Sequence, residues 1–171
     1  DGPHPENLNG ATFDCVVETV RAIIDAVKPT RAYYTLEPMP WVFPDSPDSY
    51  LDLIHAIHRE RFAVHLDPVN MISSPQRYYD NAGFLRECFK KLGPYIKSIH
   101  AKDILLSDQL TTHLSEVIPG EGGLDYAAFL REANRLAPDT PLMLEHLQTE
   151  AEFAQAARFV RSVAAKEGIA V

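Results

Sequence analysis

The sequence predicts an α/β protein that forms one half of a closed (β/α)8 barrel. Helix-like and strand-like patterns alternate along its 171 residues, and each of the four strand patterns ends at a side chain that can bind a metal ion. Such alternation is typical of βαβ units and of a parallel sheet. A complete barrel needs eight units and about 250 residues, whereas this chain has an opening helix and four units. An open doubly wound sheet of the flavodoxin type also fits this length.

The first elements are predicted from clear changes of pattern. Residues 12–28 have apolar side chains at helical spacing. Residues 31–37 are short, aromatic-rich and followed by a proline, which predicts a strand. A second helix is predicted at 48–60. In residues 61–67, large apolar side chains strictly alternate with the other side chains, and a proline again follows. This pattern predicts the second strand.

The remaining elements continue the alternation. A third helix is predicted within 75–92 and a third strand at 95–101. Residues 102–123 are predicted as a long loop, because they end in a glycine-rich turn. The last elements are a helix at 125–136, a strand at 141–146 and a helix at 149–166. No linker-like segment interrupts the pattern, so residues 1–171 are predicted to form a single domain.

Composition and charge exclude several classes of function. The formal net charge of −8 argues against a nucleic-acid partner, because binding the phosphate backbone needs a basic surface. No apolar run approaches the roughly 20 residues of a membrane-spanning helix. The N-terminus lacks the basic and apolar regions of an export signal, so a cytoplasmic location is expected. Cys15 and Cys88 lie in apolar helical patterns and are predicted to be buried free thiols.

The residues at the ends of the predicted strands indicate a metal site. Glu37, Asp67, His100 and Glu145 each end one strand pattern, and the first three follow one another at intervals of about 30 residues, the length of one strand–helix unit. Strand alternation places Asp67 and Glu145 on the face opposite the large aliphatic side chains. They would therefore point into a barrel at its carboxyl end, where barrel enzymes keep their active sites. Three carboxylates and one imidazole suit a divalent ion.

These strand ends also lie in an ordered set of motifs that resembles the xylose-isomerase-like superfamily of sugar phosphate isomerases and epimerases. The motifs are, in chain order, Leu36-Glu37-Pro38, Leu66-Asp67-Pro68-Val69-Asn70, Ile99-His100-Ala101-Lys102-Asp103, Pro119-Gly120-Glu121-Gly122 and Leu144-Glu145-His146. Each motif alone is weak, but the ordered set is specific. The resemblance runs from about residue 31 to the end of the chain, and residues 1–30 resemble the helix before the fifth strand of the barrel. The chain thus resembles the C-terminal four units of that fold.

The resemblance implies a metal cofactor and a reaction. In this superfamily a Glu, Asp, His, Glu quartet binds one divalent ion, and the matching residues here are Glu37, Asp67, His100 and Glu145. The ion would be Mn²⁺, Mg²⁺, Co²⁺ or Zn²⁺. The epimerases of the superfamily use the two metal-bound glutamates as an acid and base pair, which implies catalytic roles for Glu37 and Glu145. The substrate would be a sugar, a sugar phosphate or a related hydroxy-keto compound.

Candidate substrate-binding residues surround the quartet. Asn70 stands where several members of the family have a histidine, so it can bind a hydroxyl but cannot shuttle a proton near neutral pH. Lys102, Glu121 and Trp41 are further candidates near the strand ends. The related endonuclease IV enzymes have an Asp-x-His pair on the seventh strand that is missing after His100, which argues against cleavage of DNA.

Three functions remain open from the sequence. The first is an isomerase or epimerase, and the second is a dehydratase, because an enediolate can also expel a β-hydroxyl. The third is a non-catalytic half-barrel that serves assembly or binding. A half-barrel exposes two sheet edges, so the chain is expected to form a homo-oligomer or to associate with a missing N-terminal half. The sequence does not distinguish among sugars.

Overall fold

The structure is a computed structural model that describes residues 2–170. Its helices are α1 (Gly10–Val27), α2 (Pro47–Ile57), α3 (Pro75–Tyr79), α4 (Asn81–Leu92), α5 (Tyr126–Ala133) and α6 (Glu150–Lys166). Its strands are β1 (Tyr34–Leu36), β2 (Phe62–Leu66), β3 (Ile96–His100), β4 (Asp103–Ser107), β5 (His113–Val117) and β6 (Leu142–Met143). Short 3₁₀ turns lie at Val69–Met71 and Gly93–Tyr95.

Four of these strands form a parallel sheet in the order β1-β2-β3-β6. Strands that follow one another around the sheet also follow one another in the chain, apart from the hairpin between β3 and β6. The helices contact one another in the same succession: α1 packs on α2, α2 on α4, α4 on α5 and α5 on α6. A sheet with one helix layer in chain order is the arrangement of half a (β/α)8 barrel. The predicted α/β fold is therefore confirmed, as a partial barrel.

The core lies between the helix layer and the sheet. Its fully buried side chains come from every layer, and the largest are Tyr50, Phe129, Leu53, Ile57, Leu66, Met71, Leu85, Leu92 and Ile99. Burial of each side chain of this size stabilises the fold by about 1.5–3 kcal/mol. The aliphatic residues of β2 contribute to this core through Val64 and Leu66, which leaves the alternate positions of the strand to face the other side.

Tyr50 of α2 also fixes the end of β1. Its hydroxyl accepts a hydrogen bond from the backbone N–H of Leu36 (3.1 Å) and lies 2.5 Å from the carbonyl oxygen of the same residue. It lies 3.1 Å from the carbonyl oxygen of Ala63 on β2. These contacts occupy backbone groups where the short strand β1 ends. They hold Glu37, the next residue, beside the end of β2.

Three segments differ from their sequence prediction. The predicted loop 102–123 contains the antiparallel hairpin β4–β5, and the predicted helix 75–92 is interrupted at Asp80, which ends α3 and precedes α4. The predicted strand 141–146 pairs only at Leu142–Met143. The hairpin was not predicted because its two strands are stabilised by their pairing with each other. The polar turn between them has the sequence pattern of a loop.

The structure also bears on the expectations about membrane helices and cysteines. Among residues 2–170, no helix is both long enough and apolar enough to cross a membrane. Both cysteines are free, and Cys88 is buried in α4, but Cys15 is exposed on α1. The expectation that both thiols are buried was therefore wrong for Cys15, which lies on the side of the helix away from Val17 and Val20.

Candidate metal centre

The carboxyl ends of the four parallel strands bring four side chains together. Glu37 and Asp67 directly follow β1 and β2, His100 is the last residue of β3, and Glu145 lies two residues beyond β6. One donor atom from each of these residues lies within 4.8 Å of the donor atoms of the other three. Asp67 is fully buried, and the other three are partly buried. The sheet thus collects three carboxylates and one imidazole at one point.

The spacing of these donors fits a small divalent ion. The Nδ1 atom of His100 lies 2.9 Å from Glu145 Oε1, 3.1 Å from Glu37 Oε1 and 3.5 Å from Asp67 Oδ2. A ring nitrogen has at most one hydrogen, so it cannot donate to three carboxylates. Donors that bind one ion at about 2.1 Å in an octahedral shell are about 3.0 Å from their neighbours. The observed distances resemble this spacing.

Two buried oxygens are a second sign that the residues fit an ion. Asp67 Oδ2 and Glu145 Oε1 are inaccessible and accept no hydrogen bond of good geometry. The Lys102 ammonium lies 2.9 Å from the first and 2.5 Å from the second, so it offsets part of their charge but can engage at most one of the two lone pairs of each oxygen. Buried carboxylate oxygens without donors are costly. A bound cation would satisfy both.

Each carboxylate of the cluster has its own electrostatic environment. Burial raises the pKa of Glu37 above its ordinary value, and the nearby carboxylates of Glu145 and Asp67 raise it further. Burial acts in the same direction on Asp67, but the His100 ring and the Lys102 ammonium outweigh it and lower the pKa of that carboxyl. Of these two carboxylates, Glu37 is therefore the one that can hold a proton more readily.

The carboxylates raise the pKa of both basic groups of the cluster. Burial alone would lower the pKa of His100, but the Asp67, Glu145 and Glu37 carboxylates outweigh it and raise this pKa above its ordinary value. Burial also opposes the charge of Lys102, whose pKa is nevertheless raised, chiefly by Asp67 and Glu145. Lys102 therefore remains an ammonium ion although its side chain is only 1% exposed.

Of the four candidate substrate-binding residues, Asn70 and Lys102 lie against the cluster. The side-chain amide of Asn70 donates to Glu37 Oε1 (3.2 Å), and its backbone N–H donates to Asp67 Oδ1 (3.2 Å). The Lys102 ammonium lies 3.4 Å from Asn70 Oδ1. Both polar side chains therefore lie where a ligand of the same centre would meet them.

The other two candidates, Glu121 and Trp41, are exposed. The carboxylate of Glu121 accepts a hydrogen bond from the side-chain amide of Gln155 on α6 (2.8 Å), and Glu121 is exposed. Trp41 lies in the segment between β1 and α2, with 42% of its surface exposed. Glu121 is not part of the four-residue cluster.

His65 lies next to the cluster, on the side away from the carboxyl ends of the strands. It precedes Asp67 by two residues and shares its face of β2, where it is buried. Its Nδ1 atom lies 2.6 Å from Ser98 Oγ, and its Nε2 atom lies 3.1 Å from His100 Nδ1. Burial lowers the pKa of His65, and the nearby His100 lowers it further. The contact between the two rings depends on the register of β2 and β3, which the sequence of either strand alone does not specify.

Two residues near the cluster were missed by sequence reasoning. Glu116 on β5 lies 3.6 Å from the Lys102 ammonium, and its carboxylate lies 3.0 Å from His146 Nδ1. His146 has a positive φ of 57°, which turns the chain after Glu145 and places the ring between the hairpin and the sheet. The strand ends at Met143, so the side-chain alternation of a strand does not apply to His146. No signal in the sequence marks Glu116, because the hairpin itself was not predicted.

Asp103 fixes the segment that follows His100 and Lys102. Its buried carboxylate accepts four backbone hydrogen bonds of 2.9–3.1 Å, from Ile104, Gly120, Gly122 and Leu124. The glycine-rich turn thus wraps around this carboxylate. A Cβ atom on Gly122 would overlap the Asp103 carboxylate and the carbonyl oxygen of Ile104, so the turn requires glycine there. The base of the hairpin is thereby joined to the end of β3.

With this geometry established, comparisons with known proteins identify the family. A family model described as a xylose isomerase-like TIM barrel matches residues 1–163. No curated protein matches the sequence. Several solved structures share the fold at low sequence identity.

Three of these structures illustrate the likeness. A xylose isomerase-like TIM barrel protein from Mycobacterium smegmatis, in complex with magnesium, has a TM-score of 0.69 at 17% identity and aligns with 93% of this chain and 53% of its own. The probable 3-DHS dehydratase AsbF of petrobactin synthesis from Bacillus anthracis has a TM-score of 0.64 at 21% identity, over 86% of this chain and 55% of its own. An L-ribulose 3-epimerase has a TM-score of 0.63 at 13% identity, over 98% of this chain and 56% of its own.

The chain therefore spans little more than half the length of the solved structures that it matches. The family model matches residues 1–163, which include all four strands of the parallel sheet, and this sheet is consistent with a partial barrel. Because the family model covers almost the whole chain, the protein belongs to the xylose isomerase-like TIM-barrel family.

Proposed function

We propose that this chain is the metal-binding part of a divalent-metal-dependent isomerase or epimerase. Its substrate would be a sugar, a sugar phosphate or a related hydroxy-keto compound. The observation that supports this most strongly is the convergence of one donor atom from each of four strand ends, all within 4.8 Å. In the proposal, Glu37, Asp67, His100 and Glu145 hold one ion of the group Mn²⁺, Mg²⁺, Co²⁺ and Zn²⁺.

Two of the similar structures support the proposal. One contains magnesium and another is an L-ribulose 3-epimerase, so the fold accommodates both a divalent ion and proton transfer on a ketose. Each is less than 25% identical to this chain, and the support therefore concerns the fold and not the substrate. The choice of a carbohydrate substrate follows from the family and remains part of the proposal.

The proposed reaction is a proton transfer between two carboxylates. A bound divalent ion would polarise a substrate carbonyl and make the adjacent C–H more acidic. Glu37 and Glu145 lie at the ends of β1 and β6, the two outer strands of the sheet, so they flank the site from opposite sides. One carboxylate would remove the proton and the other would return it.

Asn70 and Lys102 would orient the substrate. Asn70 offers an amide next to Glu37, and the Lys102 ammonium lies between Asp67 and Glu145. An amide and an ammonium can together bind adjacent hydroxyl or carbonyl oxygens of a sugar. Orientation of this kind holds the reacting carbon between the two glutamates.

Two measurements test the proposed function. Isothermal titration with Mn²⁺ or Mg²⁺ is expected to show one bound ion per chain, and Asp67→Asn is expected to weaken that binding. NMR in D₂O with a panel of ketoses and ketose phosphates is expected to show deuterium incorporated at carbon without loss of water. Glu145→Gln should abolish the exchange, whereas Glu150→Gln, at the exposed start of α6, should retain it. An ion-loaded protein that exchanges no substrate proton would contradict the enzymatic part of the proposal.

A dehydratase is the second candidate. The observation that favours it is the buried Lys102 ammonium beside Glu145, because an ammonium can donate a proton to a departing hydroxyl. The similarity to the probable 3-DHS dehydratase AsbF is compatible with it. The same NMR experiment separates the two functions, since dehydration removes a hydroxyl from the product. A non-catalytic assembly module would show neither exchange nor dehydration.

A further inference from the structure

Four side chains form a two-by-two array on the inward face of β2 and β3. His65 lies on β2 and Asp67 directly follows it, Ser98 and His100 lie on β3, and His65 pairs with Ser98 in the register of the two strands. The hydroxyl of Ser98 is 2.6 Å from His65 Nδ1. This contact engages one nitrogen of the ring. The other nitrogen, Nε2, is left facing His100 Nδ1 at 3.1 Å.

The contact between the two rings is poorly satisfied once His100 binds an ion. The lone pair of His100 Nδ1 is then used by the ion, and the nitrogen has no hydrogen to donate. Neither tautomer of His65 can form a hydrogen bond to such a nitrogen. The rings are nearly perpendicular, with centroids 4.1 Å apart, so stacking does not account for the approach of the two nitrogens. An ion that both nitrogens face would satisfy the arrangement.

The geometry of a second donor set supports this interpretation. Glu37, His65 and His100 offer donor atoms that all lie within 4.8 Å of one another. The 3.1 Å between the two ring nitrogens is close to the roughly 3.3 Å between neighbouring donors of a tetrahedral ion with bonds of about 2.0–2.1 Å. This set shares Glu37 and His100 with the four-residue set, but it does not include Asp67 or Glu145.

The two sets differ in their chemistry. Three carboxylates and one imidazole can hold any of the four ions named above, but they suit harder ions such as Mg²⁺ and Mn²⁺ best. Two imidazoles and one carboxylate suit Zn²⁺ and similar ions, which bind imidazole nitrogen well. The same cluster therefore presents a different donor chemistry on its two sides.

We propose that Glu37, His65 and His100 form a second ion position that overlaps the first and takes Zn²⁺-class ions. The inference rests on the metal centre proposed above. The two positions are alternatives, because His100 Nδ1 can bind only one ion at a time. His65 is then the residue that determines which class of ion the centre prefers, and the Ser98 hydroxyl orients its ring.

The test compares two variants with two ions. Affinities for Zn²⁺ and Mn²⁺ are measured by competition with a chelating dye for the wild-type chain, His65→Gln and Asp67→Asn. His65→Gln should weaken Zn²⁺ binding by about tenfold or more and leave Mn²⁺ binding nearly unchanged. Asp67→Asn should have the reverse preference. The visible absorption of bound Co²⁺ provides a second readout, which should change in His65→Gln because a nitrogen donor is lost.

The outcomes distinguish a failure of this inference from a failure of the metal centre on which it rests. If the wild-type chain binds neither ion, the metal centre itself is wrong and the inference fails with it. If it binds both ions and His65→Gln leaves the ratio of the two affinities and the Co²⁺ spectrum unchanged, the inference is wrong while the metal centre stands. Circular dichroism checks that each variant is folded. His65→Asn, which keeps a polar group near Ser98, replaces His65→Gln if the latter does not fold.

Discussion

Lys102 connects stability and ion binding at the scale of a single residue. Its ammonium is almost fully buried and lies within 4.0 Å of carboxylate oxygens from Glu37, Asp67, Glu116 and Glu145. In the absence of an ion, it is the main positive charge in a cluster of acidic groups. The cluster is therefore expected to depend on either this ammonium or a bound cation.

Replacement of Lys102 tests that dependence. Lys102→Met is expected to lower the free energy of unfolding of the ion-free chain by about 3–5 kcal/mol, because it leaves buried carboxylates unpaired. A saturating divalent ion should restore most of the loss. Urea unfolding with and without Mn²⁺ measures both effects. Lys91→Met is the matched control, since Lys91 pairs with Asp48 and Glu87 near the surface, and its loss should cost at most about 1 kcal/mol.

The raised pKa of His100 leads to a prediction about pH. The folded ion-free chain stabilises the protonated ring, so this contribution is fully present below the ordinary pKa of 6.5 and is lost as pH rises through the raised value. Ion binding requires the neutral ring, so the affinity for the ion has the opposite pH dependence to this stabilisation. The affinity should fall as pH falls through the raised pKa of His100. Titrations with Mn²⁺ at a series of pH values on both sides of the ordinary histidine pKa of 6.5 measure this trend. An affinity that does not change over this range would contradict it.

At the scale of single elements, the hairpin β4–β5 depends on one glycine at its base. A side chain at Gly122 would overlap Asp103 and Ile104, so Gly122→Ala should lower the free energy of unfolding by about 1–3 kcal/mol. It should also speed hydrogen exchange of the Gly120 and Leu124 amides, which donate to Asp103.

Gly10→Ala is the control for this substitution. A Cβ atom at Gly10, the first residue of α1, would meet no heavy atom within 4 Å, and a helical position accepts alanine well. Its stability should remain close to that of the wild-type chain. Equal effects of the two substitutions would show that the turn tolerates a side chain and that Asp103 does not fix it as described.

The elements also show how far the sequence could predict the structure. Helices and strands with a clear period were predicted, and the family and the α/β fold are confirmed. The meeting of Glu37 and Glu145 was predictable because every parallel strand ends on the same edge of the sheet. Their roles in binding and catalysis remain predictions, as does the assignment of residues 1–171 to a single domain.

What the sequence could not predict depends on contacts between distant segments. Glu116 reaches Lys102 only through the pairing of β4 with β5, and no local pattern specifies that pairing. His146 faces the site because of one left-handed backbone conformation, which period-two alternation cannot foresee. The contact of His65 with His100 depends on the register between β2 and β3, and a register is not encoded in either strand alone.

At the scale of the whole molecule, the sheet has two open edges among the described residues. Strand β1 pairs only with β2, and β6 pairs only with β3. A groove of about 380 Å³ lies beside β6, between α5 and α6. Its larger apolar lining residues are Leu130, Leu136, Leu142, Leu144, Val160 and Ile169. Unpaired strand edges next to apolar surface favour association with further strands.

The 171-residue chain is therefore expected to self-associate when it is prepared alone. Sedimentation velocity over a wide range of concentrations should show species larger than the 19.1 kDa monomer, and their proportion should rise with concentration. Addition of the complementary half of a barrel from the same family should reduce this association if it covers the same edges. A monomer that persists at every concentration would show that the edges are protected in another way.

The anchoring of the hairpin has a practical consequence. Its base is held by the hydrogen bonds to Asp103 and by five paired positions between the two strands, whereas Leu110 at its tip is fully exposed. Residues can therefore be added at the tip without displacing Lys102 or His100. A fluorescent reporter inserted there would be carried by the β4–β5 hairpin, whose base is fixed by these hydrogen bonds. Its quenching by a paramagnetic ion would locate that ion relative to the sheet without a label inside the cluster.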